Sequence, residues 1–181
     1  QSSAGPTPVT AAGQPVGLML DKRQGLVLGP ELVTNVAAVS GSYTSPSVGT
    51  VIRDGSGGTA IIADGLAGET YRVTLTVSGQ TGDSNFVRAN GGEAVQFNGN
   101  GDYTFTLLAV ASGGIEIKPW GGTAGQATIT NISVKLLAGN HASQPTAGKR
   151  PILQESGGKY SLKFDRADDF MSTAAIDITG T

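Results

Sequence analysis

The chain has 181 residues, 28 of them glycine, no cysteine, 14% charged residues and a net charge of −2. Without cysteine there are no disulfides, thiol nucleophiles or Cys-zinc sites, and the near-neutral, slightly acidic balance offers no electrostatic footprint for nucleic acid. No apolar run approaches the roughly 18 residues of a membrane span, and no Lys/Arg run exceeds the two residues of Lys22-Arg23 or Lys149-Arg150. Membrane insertion is therefore not expected. A chain this poor in charge and rich in Gly, Ser, Thr, Val and Ala has the composition of an all-β sandwich.

In chain order, QSSAGPTP lacks the basic start and apolar core of a signal peptide and reads as the cut edge of a longer chain. Residues 1–15 are linker-like. Residues 16–20 form a short apolar run, one strand or a single helical turn, and residues 26–28 form another before Gly29-Pro30. From Glu31 onward, strand signals come at sandwich spacing. Residues 32–39 are the first strand, SGSYTSPSVG is a polar loop carrying Tyr43, and DGSGG at 54–58 is the turn of a hairpin. In residues 71–78, Tyr71, Val73, Leu75 and Val77 alternate with polar residues and face a core. Residues 84–89 and 93–97 follow, and then three strands separated by two Gly-rich turns. The last of these, QATITNISVKLL, changes phase between Ile129 and Ile132, which places a β-bulge at Thr130-Asn131. About nine strands are expected before Leu137. Beyond it, AGNHASQPTAGKRP is a connector, and 151–153, 160–164 and 170–171 are short strand candidates. The chain stops at AAIDITGT, in the middle of a pattern.

Residues 31–137 resemble the jelly-roll carbohydrate-binding modules of the family 4/9 type. The resemblance rests on ATITNISVK (127–135) after a Gly-rich loop and on GPELVTN (29–35), which is similar to the first strand of such modules in phage proteins. Where that pattern continues with Gly-Asp-Phe and a Trp, this chain has Val36-Ala37-Ala38 and Tyr43. The outer pieces PTPVTAAGQPVGLMLDK (6–22), GNHASQPTAGKRPIL (139–153) and KYSLKFDRADDFMSTAAIDITGT (159–181) resemble one continuous motif of bacteriophage and prophage tail-associated proteins that opens a concanavalin/laminin-G-like sandwich. The two resemblances imply an all-β chain in three parts. Residues 1–28 are a linker and the first part of a discontinuous laminin-G-like domain, 29–138 an inserted jelly-roll module, and 139–181 the incomplete continuation of the first domain. Such an insertion places Lys22 and Gly139 within about 15 Å of each other and packs the flanks 14–22 and 151–171 together.

The residues offering chemistry are few. Trp120, in KPWGG, is either a platform for the apolar face of a sugar or a cover for the end of the core. Tyr43 shares an edge with it only if the loops converge. Arg88 and Lys118, on the outward phase of their strands, are suited to sugar hydroxyls or carboxylates, or are ordinary surface charges. Asp165, Asp168 and Asp169 in FDRADDF have the density of a calcium loop without EF-hand spacing; an Asx-stabilised turn is expected there and no metal ligand is assigned. Glu93 and Glu116 lie on neighbouring candidate strands, but sequence does not place them as the acid pair a glycosidase needs. The lone His141 sits in the connector with no catalytic or metal spacing around it. The expectation is a non-enzymatic virion protein of tail fibre or spike, with no catalytic residue and no cofactor. It would bind host cell-surface polysaccharide through Trp120, Tyr43, Arg88 and Lys118, contact other virion proteins and assemble as a homo-oligomer, a trimer. The alternative is a purely structural decoration or spacer that docks on virion proteins without binding sugar.

Overall fold

Alternating β-branched and aromatic residues, punctuated by glycine, leave this chain little but strands to form. The computed structural model describes residue 9 and residues 11–20, 28–33, 38–121, 123–139 and 141–173. Along it run β1 (Leu18–Met19), β2 (Leu28–Glu31), β3 (Ala38–Ser47), β4 (Thr50–Gly65), β5 (Thr70–Ser78), β6 (Ser84–Arg88), β7 (Val95–Phe97), β8 (Gly101–Leu108), β9 (Gly113–Trp120), β10 (Gly125–Leu137), β11 (Ala142–Ser143), β12 (Ile152–Ser156) and β13 (Lys159–Lys163). The helical element among the described residues is one 3-10 turn, Ala147–Lys149. The chain divides into two compact units, Leu28–Leu137 and a discontinuous one made of Gln1–Val27 with Ala138–Thr181.

The Leu28–Leu137 unit is a jelly-roll-type β-sandwich. One layer runs β8-β5-β10-β2 and the other β7-β6-β9-β4-β3, every pairing antiparallel. The long strand β4 turns the corner between them. Its first half, 51–55, pairs with 129–125 of β10, and its second half, 60–65, pairs with 117–113 of β9. Both layers send alternate side chains into one core. Tyr71, Val73, Leu75 and Val77 of β5 meet Phe105 and Leu107 of β8, and Val87, Ile115, Ile117, Val51 and Ile62 enter from the other layer. The bulge lies where the phase change puts it. The β10–β5 register shifts between Thr130 and Ser133, Asn131 takes a left-handed φ of 52°, and both Ile129 and Ile132 stay buried. Leu28 is the register partner of Leu137, so the unit begins and ends at neighbouring points.

The discontinuous unit pairs its two segments directly. Leu18 and Met19 partner Ser143 and Ala142, Pro15 bridges Ile152, and Val16 and Leu153 donate backbone hydrogen bonds to Pro151 and Gln14. Val16, Leu18 and Leu153 are buried there, with Gln144 and Arg150. Arg150 is satisfied by carbonyls, its Nε donating to Gln144 at 2.9 Å and Nη2 to Pro145 at 2.8 Å. Lys22 lies outside the described residues.

Three local expectations are corrected. The strand expected over 32–39 is absent at 32–33, with strand at Leu28–Glu31 and again from Ala38; residues 34–37 lie outside the described set. The polar stretch SGSYTSPSVG is not a loop but most of β3, because β4 supplies it with a partner from Ile61 back to Thr50. DGSGG is not a hairpin turn either; β4 runs through it, and the β3–β4 turn lies at Val48-Gly49. The glycines serve a close approach. Gly58 sits opposite Gly41 with a φ of 107°, and a Cβ on Gly58 would fall 2.0 Å from the Ser40 carbonyl oxygen.

Candidate functional site

The site is built on two neighbouring strands. In β6, Asn85 and Val87 point into the core, which turns Ser84, Phe86 and Arg88 to the outer face. In β9, Ile115 and Ile117 point inward and Glu116, Lys118 and Trp120 outward. The antiparallel register sets Ser84 against Trp120, Phe86 against Lys118, and Arg88 against Glu116. Three of the four residues expected at a site thus share one sheet face, on adjacent strands.

Trp120 ends β9 and is 46% exposed. The edge of one ring meets the face of the other between Trp120 and Phe86, with centroids 5.6 Å apart and planes at 86°, a favoured aromatic geometry. The Arg88 guanidinium stands 5.7 Å from the centroid of the same Phe86 ring, within cation–π range. Arg88 Nε donates to Glu116 Oε1, and Lys118 Nζ lies 3.0 Å from Glu116 Oε2, so one carboxylate is shared by two cations. On the flanks, Gln96 of β7 hydrogen-bonds Ser84 Oγ, and Ile61 of β4 is the partner of Glu116. Chemically the face offers an exposed indole, two oriented cations and hydrogen-bonding side chains. Glu116, weighed from sequence as half of an acid pair, is engaged with both bases.

Tyr43 is not part of this face. It lies in β3, buried on the core side, with its hydroxyl donating to Asn85 Oδ1 at 3.2 Å. Burial pushes its pKa up, against the pull of nearby Arg53. A ring enclosed this way presents no surface to a ligand, so the expected edge shared with Trp120 does not form.

Beneath the rim of the face lies a residue that sequence reasoning missed. Arg53 is fully buried, and its Nη2 donates to the carbonyls of Thr81 (3.2 Å) and Asp83 (2.7 Å), its Nη1 to that of Ser84 (3.3 Å). The Asp83 carboxylate in turn accepts from the Thr123 amide at 2.5 Å. Thr123, three residues beyond Trp120, is thus tied to the segment 81–84. Phe86 was missed as well, because Phe86 and Val87 are adjacent and apolar; only the buried Asn85 tells which one faces out.

In the discontinuous unit, Asp165, Asp168 and Asp169 each place one oxygen within 4.8 Å of the others. Asp165 Oδ1 accepts from the amides of Ala167, Asp168 and Asp169, the pattern of an Asx turn, and those bonds, led by Ala167, hold its pKa below the ordinary aspartate value. His141 is buried in the same unit.

Comparison with protein-family models, with curated proteins and with solved structures finds no match to this chain.

Proposed function

We propose that the Leu28–Leu137 sandwich is a carbohydrate-binding module of a phage or prophage virion protein, contacting host cell-surface polysaccharide through the outer face of β6 and β9. The observation that carries this reading is Trp120. It is a large ring left half-exposed at the end of a strand, supported from the side by Phe86, with Lys118 two residues back on the same face. The resemblance of 127–135 to family 4/9-type carbohydrate-binding modules, and of the outer segments to phage tail-associated proteins, supplies the setting. The module is non-catalytic, and its weak contacts become useful through avidity in a homo-oligomer, a trimer on a fibre or spike. The inserted arrangement is supported by the pairing of Leu28 with Leu137 and of Met19 with Ala142, since insertion demands adjacent ends.

The test is a glycan array probed with the 181-residue protein and with Trp120→Ala. Loss of the indole is expected to weaken binding by about 1–3 kcal/mol while shifting thermal stability little, as suits a half-exposed side chain. Equal binding by both proteins, or no glycan bound by either, would refute the reading.

A further inference from the structure

We infer that the saccharide taken by this face is anionic, with its ring against Trp120 and its carboxylate or sulfate met by Lys118 and Arg88. The inference rests on the carbohydrate reading and adds the charge class of the ligand. Its basis is the way exposure is layered. The Glu116 side chain is 11% exposed, whereas Arg88 and Lys118 are 39% and 31% exposed. One carboxylate therefore lies beneath two cations, and the cations are what an arriving ligand meets. The trio carries a formal charge of +1, two bases against one acid, and among the described residues no other carboxylate forms an ion pair with either base.

The geometry suits a sugar acid. Lys118 and Trp120 are two residues apart on one face of β9, about 7 Å along the strand. Phe86 is the register partner of Lys118, and its ring contacts both Trp120 and the Arg88 guanidinium, so a cation sits beside an aromatic floor. Glu116 also holds both cations in place before any ligand arrives, which lowers the entropy lost on binding. Charge-assisted hydrogen bonds from oriented cations are stronger than neutral ones and so favour an anionic over a neutral saccharide.

Asp64 and Asp83 border the face without occupying the Lys118 row. Asp64 of β4 partners Gly114, on the far side of Glu116 from Trp120. Asp83 turns its carboxylate into the loop, against the Thr123 amide and the backbone of Gly121.

The experiment uses the 181-residue protein and matched polysaccharides: polygalacturonate, hyaluronan and chondroitin sulfate, each also after carboxyl reduction or desulfation, beside neutral galactan and an array of bacterial surface glycans. An acidic glycan should bind, and neutralising its charged group should weaken binding by about ten-fold. Raising the salt from about 0.05 to 0.5 M should weaken it by a similar factor, because the charges are near the surface. Lys118→Gln should lose about three- to ten-fold for the charged form alone, and Lys118→Arg should restore most of it. Arg88→Gln should behave like Lys118→Gln, with a thermal melt confirming that it folds.

Equal affinity for charged and neutralised forms would overturn the inference and leave the sugar reading standing. Binding to no glycan on the array would overturn both. Acidic-glycan binding indifferent to Lys118→Gln and Trp120→Ala would place the contact elsewhere and overturn the inference too.

Discussion

Arg53 illustrates how a single buried charge can organise a surface it does not reach. Desolvating a guanidinium costs several kcal/mol, and here the offset comes from the carbonyls of Thr81, Asp83 and Ser84. Arg53→Met removes the donors from three carbonyls in or near the core, and a loss of about 3–5 kcal/mol is expected in denaturant melts. Arg53→Lys keeps the charge but not the fork, so the segment 81–84 should loosen in a protein that still folds. Trp120 is the single tryptophan, so its emission reads this directly: a red shift and easier acrylamide quenching are expected. Wild-type melting together with an unchanged spectrum would show that Arg53 does not position the loop.

Glu31 makes a second, pH-dependent tie. Desolvation pushes its pKa up, but hydrogen bonds from Ser133 Oγ and the amides of Val134, Val33 and Leu32 outweigh that and hold it below its ordinary value of 4.5. A depressed carboxylate stabilises the fold above the unfolded value and loses that contribution as pH falls through the folded one. Because Glu31 is largely open to solvent, Glu31→Gln should cost only roughly 1 kcal/mol at neutral pH. The gap between wild type and variant should close as pH falls below about 4.5. A gap that stays constant down to acid pH would contradict the assignment.

Strand β4 is the element on which the sandwich turns, and its glycines are not equivalent. Gly58 has a φ of 107° and no room for a Cβ, whereas a Cβ on Gly57 would meet nothing within 4 Å. Gly58→Ala should therefore destabilise the sandwich by about 2–4 kcal/mol, through backbone strain and displacement of β3. Gly57→Ala should be neutral within about 0.5 kcal/mol. Equal effects of the two, in the same chemical melts, would mean that the close approach of β3 is not needed. The bulge in β10 makes the opposite comparison, since it was legible in advance. Ile129 and Ile132 can both be buried only if one residue is added between them, and the alternation records that locally.

Across the molecule, the decisive feature is that, among the described residues, the core of the sandwich is drawn from residues 33–134. Among the described residues, no side chain of the discontinuous unit belongs to that core cluster. An excised 28–137 fragment should then fold by itself, with a cooperative thermal transition and the β-type circular dichroism of a sandwich. A fragment that stays unfolded would show that the sandwich depends on the rest of the chain. The fragment's Trp120 emission should match that of the 181-residue protein, because Phe86, Arg53 and the 81–84 segment all lie within it.

The strand class, the inward phase of 71–78, the bulge and the outward phase of Arg88 and Lys118 were legible in the sequence, whereas the side to which Trp120 turns was not. The legible features follow from period-2 alternation, a local property that needs no partner to be read. What the polar residues do depends on neighbours that folding brings from elsewhere in the chain. SGSYTSPSVG becomes a strand only because β4 lies beside it, and DGSGG passes straight through because Gly41 lets two backbones close up. Tyr43 goes into the core because Asn85 receives its hydroxyl, and Glu116 is sequestered because Arg88 and Lys118 converge on it. A polar side chain in a strand has no preferred side until a cross-strand partner satisfies it, and that partner lies as many as 42 residues away in these pairs.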